Sequence, residues 1–300
     1  MEENKKIKIV THSSKFHVDD VFAVAALFLL LEKNHEITVL RSRDPNIHAT
    51  GDYVIDTGDV YDPDRNRFDH HQRGGAGGRP NGILYSSFGL VWKKFGMALC
   101  GDREVSQKID KMLVEPIDAN DNGINIFQPV IKDVYPFDIR SLFYIFRPTW
   151  KEEVNIDVLF MEVVSYAKAI ITRAIITITD QKEAERLVVE AYEKAEDKRL
   201  IILDERYPWE EVLLRFPEPL FVTYKKRVDN DWTLKTIREN VLSYDGARKD
   251  LPQAWAGLRD EKLEKVTGVP GSVFCHNGRF IAVAKTKEAI LKLANLALKD

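Results

Sequence analysis

The stretch IKIVTHSSKFHVDDVFAVAALFLLLEK, residues 7–33, decides the fold. It opens with a short β-branched run, Ile7 to Val10, and continues through the polar segment Thr11 to Asp20. An apolar segment follows, and its length favours a buried helix from about Asp20 to Lys33. A strand, a loop and a helix in this order make one βα unit. We therefore expect an α/β fold whose N-terminal domain contains a mainly parallel sheet.

Two further apolar runs, Ile37 to Leu40 and Tyr53 to Ile55, are each followed by polar residues. In open α/β sheets, ligands bind beyond the carboxyl ends of the strands, so these polar residues are the first candidates for a site. The whole chain is expected to divide into three parts. These are an N-terminal α/β domain over residues 1–152, a connector of two packed helices over 153–197, and a smaller α+β domain over 198–300.

The composition excludes several classes of protein. A chain of 300 residues with 44% hydrophobic residues is long enough for two folded domains. Its two cysteines, Cys100 and Cys275, are far apart, which disfavours a disulfide scaffold and indicates a reducing, cytoplasmic location. The longest apolar run, Val21 to Leu31, is too short to span a bilayer, and the acidic pair before it is wrong for a signal peptide. We expect no membrane partner.

Charge and histidine are unevenly distributed along the chain. The net charge is −3, but residues 1–197 carry 25 basic and 32 acidic side chains, whereas residues 198–300 carry 19 and 15. Six of the seven histidines lie within the first 71 residues. The charge balance alone does not indicate a nucleic-acid-binding protein. The histidine cluster is the first indication of a functional site.

The first candidate group is His12, His17 and Asp19, in THSSKFHVDD. These residues follow the first strand and precede a helix, so they share one loop at the ligand-binding edge of the sheet. Imidazole and carboxylate groups are suitable ligands for Mn²⁺, Fe²⁺ or Zn²⁺. An ordinary interpretation is equally open, in which Asp19 or Asp20 caps the helix.

Three more candidates come from later segments. Asp56 follows the strand Tyr53 to Ile55, where one carboxylate could bridge two metals or simply begin a turn. The segment FDHHQR, residues 68–73, supplies two imidazoles, and its Asp69 could orient His70. Asp118 and Asp121 lie in EPIDANDNG, a segment expected to be a loop because of its Pro, Asn and Gly residues.

Together these motifs resemble the DHH phosphoesterase superfamily and, more closely, the melanocyte-proliferating-gene (Myg) family, which includes an RNA 3′–5′ exonuclease. The motifs that carry the resemblance are THSSKFHVDD, RSRDP, YVIDTGDVYDP, RFDHHQRG, EPIDANDNG and the long segment beginning LPQAWAGLRDEKLEKVTGVPG. They span most of the chain. The resemblance implies a DHH-type catalytic domain and a second domain that holds the far end of the substrate.

The resemblance also implies roles for individual residues. The implied metal ligands are His12, His17, Asp19, Asp56, His70 and Asp118. Asp56 would bridge two ions, His17 departs from the usual motif of the superfamily, and Asp121 is the rival of Asp118. His71 would face the substrate phosphate, with Asp69 beside it in the catalytic group. Gln72, Arg73, His276 and Arg279 are the candidates for substrate binding.

The expected function is therefore a two-metal phosphodiesterase, a 3′–5′ exonuclease on RNA or short oligonucleotides. Its expected cofactors are two Mn²⁺ ions, with Mg²⁺ as the alternative, which would lower the pKa of a bridging water. Two other functions stay open: hydrolysis of a small phosphoanhydride or nucleotide such as pyrophosphate, and metal binding without catalysis. Association into a homo-oligomer is also open.

Overall fold

The computed structural model describes residues 6–240 and 246–300 of the chain. It divides into two compact units, one ending at Thr179 and one beginning at Asp180. The predicted α/β class is confirmed, because each unit contains a five-stranded sheet with helices. No helix within the described residues has both the length and the hydropathy needed to cross a membrane.

The sheet of the first unit has the strand order β2-β1-β3-β5-β4. Its strands are β1 (Lys6–Thr11), β2 (Glu36–Arg41), β3 (Tyr53–Ile55), β4 (Tyr61–Asp62) and β5 (Arg67–Phe68). The pairs β1–β2, β1–β3 and β3–β5 are parallel, and only the β4–β5 hairpin is antiparallel. This is the mainly parallel sheet that the alternation of apolar runs predicts.

Helices surround this sheet and form the core of the first unit. They are α1 (Val18–Leu31), α2 (Pro45–His48), α3 (Ser87–Cys100), α4 (Arg103–Ile109), α5 (Glu115–Asp121) and α6 (Ile139–Ile145). Residues 21–27 of α1 are fully buried, as expected for an apolar segment without a polar face. α1 packs against α3, and Phe22 of α1 contacts Phe88 of α3 with ring centroids 5.3 Å apart.

Two sequence-based expectations about helices are wrong. The segment 115–121 is the helix α5 rather than a loop, because Pro116 lies in its first turn, where a proline is tolerated, and Gly123 follows its end with a φ of +71°. The connector is one helix, α7 (Ile156–Lys194), rather than two packed helices. It contains no proline or glycine, so the change from apolar to charged residues does not interrupt it. The boundary between the two units falls within α7.

The second unit is the expected α+β arrangement. Its strands are β6 (Leu200–Leu203), β7 (Phe221–Lys225), β8 (Trp232–Thr236), β9 (Ser272–Cys275) and β10 (Ile281–Ala284), in the order β6-β7-β8-β10-β9. Its further helices are α8 (Glu210–Leu213), α9 (Asp260–Thr267) and α10 (Lys287–Lys299). Successive residues of β7 point to opposite faces of the sheet and so belong to different hydrophobic cores. Phe221 lies in one core with Ile290 and Leu293 of α10, and Val222 lies in the other with Trp209.

Candidate metal centre

The candidate site is built where parallel strands of the first unit end. Thr11, the last residue of β1, pairs with Ile55 of β3, and Ile55 pairs with Phe68 of β5. The next residue on each strand is therefore brought to the same edge of the sheet, and these residues are His12, Asp56 and Asp69. Asp56 adopts a φ of +55°, which is uncommon for a residue other than glycine.

The beginnings of two helices complete this edge. Asp19 and Asp20 lie in the first turn of α1 and are fully buried. Ser87, the first residue of α3, donates its hydroxyl to Asp56 Oδ1 at 3.0 Å and its backbone N–H to Asp19 Oδ2 at 3.3 Å. The helix therefore fixes two of the candidate ligand carboxylates from behind, as is usual for metal ligands.

Three overlapping groups of ligand atoms form at this edge, and within each group the atoms lie within 4.8 Å of one another. The groups are His12, His17 and Asp56; Asp56, His70 and His71; and His17, Asp19 and Asp121. Asp56 belongs to two groups, as a bridging carboxylate requires, and His17 also belongs to two. The structure thus brings together the ligands expected from THSSKFHVDD, IDTG and DHH.

The distances between these atoms are short. His12 Nε2 lies 3.0 Å from Asp20 Oδ2 and 3.3 Å from Asp56 Oδ2. His70 Nε2 lies 3.3 Å from Asp56 Oδ1 and 3.2 Å from Asp121 Oδ2. Asp19 Oδ2 is 3.9 Å from His70 Nε2.

The same atoms lack ordinary hydrogen bonds, which tests whether the donor set fits a metal. Among residues 6–240 and 246–300, His12 Nε2, Asp19 Oδ1, Asp20 Oδ2 and His70 Nε2 are buried without a partner in hydrogen-bonding geometry. Buried polar groups without partners are costly, and several that converge on one point are typical of an ion-binding site. Imidazole and carboxylate donors together fit a divalent transition ion.

The electrostatics of the cluster are those of crowded carboxylates. Burial raises the pKa of Asp19 well above its ordinary value, and the charges of Asp56, Asp121 and Asp20 raise it further. Burial lowers the pKa of His12, but its interactions with Asp20 and Asp56 outweigh this effect and raise the pKa to about 10. Burial lowers the pKa of His70 as well, but its interactions with Asp121 and Asp56 raise this pKa to about 10. Protons and a divalent cation therefore compete for the same imidazoles.

Asp118 is not among the three groups of ligand atoms, and its carboxylate has other partners in the described part of the chain. Arg79 forms a buried ion pair with Asp118 Oδ2. Asp118 Oδ1 accepts hydrogen bonds from the Ser86 hydroxyl at 2.6 Å and from the backbone N–H groups of Ser86 and Gly89 at 3.1 and 3.0 Å. Both of its oxygens are therefore occupied, and Asp121, one turn later on α5, is the residue near His70.

The Asp69 carboxylate contacts the imidazole ring of His71 rather than that of His70, which differs from the expectation. Asp69 Oδ1 lies 2.7 Å from His71 Nδ1 and accepts the backbone N–H of His70 at 2.7 Å, while its Oδ2 accepts that of Asp59 at 2.7 Å. Burial raises the pKa of Asp69, but the His71 side chain and the backbone N–H groups of Asp59 and His71 bring it below its ordinary value. The hydrogen bond in turn raises the pKa of His71, whose side chain is 54% exposed.

The four expected substrate-binding residues have different surroundings. Gln72 donates to the Gly75 carbonyl at 3.0 Å, and Arg73 is exposed. In the second unit, Asn277 and Gly278 form the expected turn between β9 and β10, and Arg279 is paired with Asp250 at 2.6 Å. His276 accepts the Gly278 N–H at its Nδ1, at 2.9 Å. Their roles toward a substrate stay predictions.

Sequence reasoning missed several residues around the cluster. The sequence predicts Asp20 only as a possible helix cap, although this residue is next to Asp19 in the same motif. Ser87 and Arg79 carried no signal of their own. Arg79 lies in the glycine-rich segment 73–82 and ties it to Asp118 and Asp110, so this part of the segment is anchored rather than free.

Comparison with known proteins provides an independent finding. The family model MYG1_exonuc, described as an uncharacterised protein family (UPF0160), matches residues 8–298. A MYG1 protein of Schizosaccharomyces pombe is 30% identical over 98% of this chain and 98% of its own length. A MYG1 protein of Chlamydia pneumoniae is 31% identical over 97% of both chains. A human protein named MYG1 exonuclease is 30% identical over 97% of this chain and 85% of its own.

A solved structure also aligns with the chain. It is an exopolyphosphatase-related protein from Bacteroides fragilis, which is 13% identical over 99% of this chain and 93% of its own, with a TM-score of 0.26. At this TM-score and identity, the family relationship is established by the sequence relatives alone.

Proposed function

Since the chain belongs to the MYG1 family (UPF0160), we propose that it is a divalent-metal-dependent phosphodiesterase that removes nucleotides from the 3′ end of RNA or short oligonucleotides. One observation carries the proposal: buried imidazole and carboxylate atoms converge at the edge of the sheet without other partners. The name of the human relative supports exonuclease activity in particular.

The proposal includes two ions. We assign His12 and His17 to one ion and His70 and Asp121 to the other, with Asp56 shared between them. Asp19 and Asp20 add negative charge beside both sets of ligands. Mn²⁺ suits this mixture of donors, with Mg²⁺ as the alternative.

Divalent ions in such a site supply a water of lowered pKa and neutralise the charge on the phosphoryl group. The residues of the chain then orient and bind the substrate. Ser87 holds Asp56 and Asp19 in place through the hydrogen bonds described above. The hydrogen bond to Asp69 raises the pKa of His71 and so favours its protonated form, which can donate to a phosphate oxygen from its exposed side, where charge develops during the reaction. Gln72 and Arg73 follow it in sequence and extend the same surface.

We also propose that the reaction takes place in the cytoplasm. Cys100 and Cys275 are both free thiols in the structure, as is usual for proteins of a reducing compartment.

A panel of labelled substrates tests the proposed activity. RNA and DNA oligomers of one sequence, each labelled at the 5′ or the 3′ end, are incubated with Mn²⁺ alongside pyrophosphate. We expect the 3′-labelled RNA to release a labelled mononucleotide at once, and the 5′-labelled RNA to shorten stepwise. Pyrophosphate cleavage that outpaces every oligomer would show a small-phosphoanhydride hydrolase instead. Absence of all turnover with metal bound would indicate a non-catalytic metal-binding protein.

A further inference from the structure

A small cavity lies beside the proposed metal ligands in the first unit. Its volume is about 230 Å³, and its wall includes His17, Asp19 and Asp121 of the cluster. Another part of its wall is formed by Arg140, Tyr144 and Arg147, from α6 and the residues that follow it. None of these three residues carried a signal in the sequence motifs.

Helix α6 is held firmly in this position. Phe143 is 2% exposed and packs against Phe22 of α1 with ring centroids 5.4 Å apart. Asp138 caps the helix by accepting the backbone N–H of Ser141 at 2.8 Å. Arg140, Tyr144 and Arg147 are four and three residues apart, so they share one face of the helical segment. The packing of Phe143 therefore fixes the direction in which that face points.

The two arginines have no anionic partner within the described part of the chain. Neither forms an ion pair there; Arg147 donates to the Phe16 carbonyl oxygen and lies 4.0 Å above the Tyr144 ring. Burial lowers the pKa of Arg147 and the nearby charge of Arg140 acts in the same direction, whereas Tyr144 and Asp20 act in the opposite one. The carboxylates of Asp19 and Asp121 also line the cavity, but in the proposed function they face the metal ions, so the two guanidinium groups are the groups of the wall that favour an anionic ligand.

The size of the cavity limits what that ligand can be. Pockets that enclose whole drug-sized molecules have volumes of roughly 300–1,000 Å³. At 230 Å³ this cavity is smaller, so it suits a phosphate group better than a complete nucleotide. His17, Asp19 and Asp121, which form one of the three ligand groups, line the same cavity, so a phosphate held by the arginines lies directly against the metal cluster.

We propose that Arg140 and Arg147 bind the phosphate adjacent to the one that is hydrolysed, so that the site selects substrates with at least two successive phosphodiesters. This inference rests on the proposed function, because it takes the metal cluster as the place of hydrolysis. It assigns to α6 a specificity role that the metal-ligand motifs do not contain.

Arg140→Gln is the variant that tests this role. Arg140 is exposed, and its side chain has no hydrogen-bond or ion-pair partner among residues 6–240 and 246–300, whereas Arg147 contacts the Phe16 carbonyl oxygen. The substrates are the trinucleotide ApApA, with two phosphodiesters, and the dinucleotide ApA, with one. We expect KM for ApApA to rise about 10- to 100-fold, the effect of losing a hydrogen bond to a charged group, with kcat nearly unchanged. KM for ApA should stay within about twofold, and Arg140→Lys should recover part of the loss.

Arg103→Gln is the matched control, since Arg103 is an exposed arginine on α4 that does not line the cavity. Isothermal titration calorimetry with ApApA and ApA analogues that carry non-hydrolysable phosphonate linkages measures binding without catalysis. We expect wild type to bind the trinucleotide analogue more tightly than the dinucleotide analogue, and Arg140→Gln to lose this difference.

The two measurements separate the inference from the proposed function. If no substrate is hydrolysed but the difference between the analogues depends on Arg140, the phosphate site stands and the proposed function is wrong. If both substrates are hydrolysed and Arg140→Gln leaves the ratio of their KM values unchanged, the inference is wrong and the proposed function stands.

Discussion

Asp121 Oδ2 lies 3.2 Å from His70 Nε2, which joins the end of helix α5 to the segment after strand β5. Asp118, one turn earlier on the same helix, is instead engaged by Arg79, Ser86 and Gly89. The two aspartates of EPIDANDNG are therefore expected to have separate roles. We expect Asp121 to contribute to metal binding and Asp118 to hold the glycine-rich segment and α3 against α5.

Replacing each aspartate by asparagine tests this division. Asp121→Asn should lower Mn²⁺ affinity at least about 100-fold, beyond the 10- to 100-fold typical of residues that only orient ligands. Asp118→Asn breaks a buried ion pair and should reduce the free energy of unfolding by about 3–5 kcal/mol. Calorimetric metal titration and urea unfolding measure the two effects. The division fails if Asp118→Asn abolishes metal binding in a protein that is still folded, while Asp121→Asn binds normally.

Gly89→Ala should destabilise the protein, although alanine normally stabilises a helix by about 1 kcal/mol relative to glycine. A Cβ at this position would lie less than 3.0 Å from three atoms of the Asp118 carboxyl group. We expect a loss of about 1–3 kcal/mol in unfolding free energy, as for an overpacked core, measured by urea unfolding. Met97→Ala on the exposed side of the same helix is the control and should change stability little. A Gly89→Ala variant more stable than wild type would contradict the close packing of α3 on Asp118.

Asp19→Asn should stabilise the protein in the presence of a chelator. Burial and the neighbouring carboxylates raise the pKa of Asp19, so its ionised form is unfavourable in the folded state without a cation. The amide removes this charge and keeps an oxygen for the Ser87 N–H. Differential scanning calorimetry should show a higher Tm than wild type with EDTA, by roughly 2–4 °C per kcal/mol gained. With Mn²⁺ added, the increase in Tm should be smaller than in wild type.

The opposite result for Asp19→Asn would contradict a role of this carboxylate in the metal site. A lower Tm with EDTA, together with an undiminished response to Mn²⁺, would show that Asp19 is a structural residue and not part of the metal site. Asp64→Asn, at an exposed position in the β4–β5 turn, serves as the control and should respond to Mn²⁺ as wild type does.

Asp69→Asn should move the basic limb of the pH–activity profile to lower pH. The hydrogen bond that His71 donates to Asp69 raises the pKa of His71, so we expect protonated His71 to persist to higher pH in wild type than in the variant. Removing the negative charge lowers this pKa, and the protonated imidazole is then lost at a lower pH. Profiles of kcat for the two proteins, measured at saturating Mn²⁺, give the shift. A profile with lower activity but an unmoved basic limb would exclude this role for His71.

Much of the fold could be predicted from the sequence, since strands with apolar runs have a strong local signal. The runs Ile7 to Val10 and Ile37 to Leu40 lie in strands in the structure. Segments in which local and tertiary preferences conflict could not be predicted. EPIDANDNG contains residues typical of loops, but burial of Ile117 and Asp118 stabilises it as a helix. The prediction of two helices in the connector rested on the change from apolar to charged residues, which does not interrupt α7.

The candidate metal cluster was predictable in part, because His12 and Asp56 directly follow strands that end at one edge and His70 comes two residues after a third. The choice between Asp118 and Asp121 was not, since it depends on Arg79, which is 39 residues away in sequence from Asp118. The positions of Arg140 and Arg147 were not predictable from the sequence either. Their position beside the cluster results from the packing of Phe143 on Phe22, which no local pattern reveals.

The central claim is that the cluster binds metal and that this metal drives hydrolysis. Metal content by mass spectrometry and Mn²⁺-dependent release of mononucleotides from labelled RNA should be measured together on wild type and Asp56→Asn, with Asp64→Asn as the control. We predict two Mn²⁺ per chain in wild type and in the control, with a rate that follows occupancy. Asp56→Asn should lose bound metal and at least about 100-fold in rate, since one bridging ligand serves both ions. Unchanged metal content and rate in Asp56→Asn would contradict the claim.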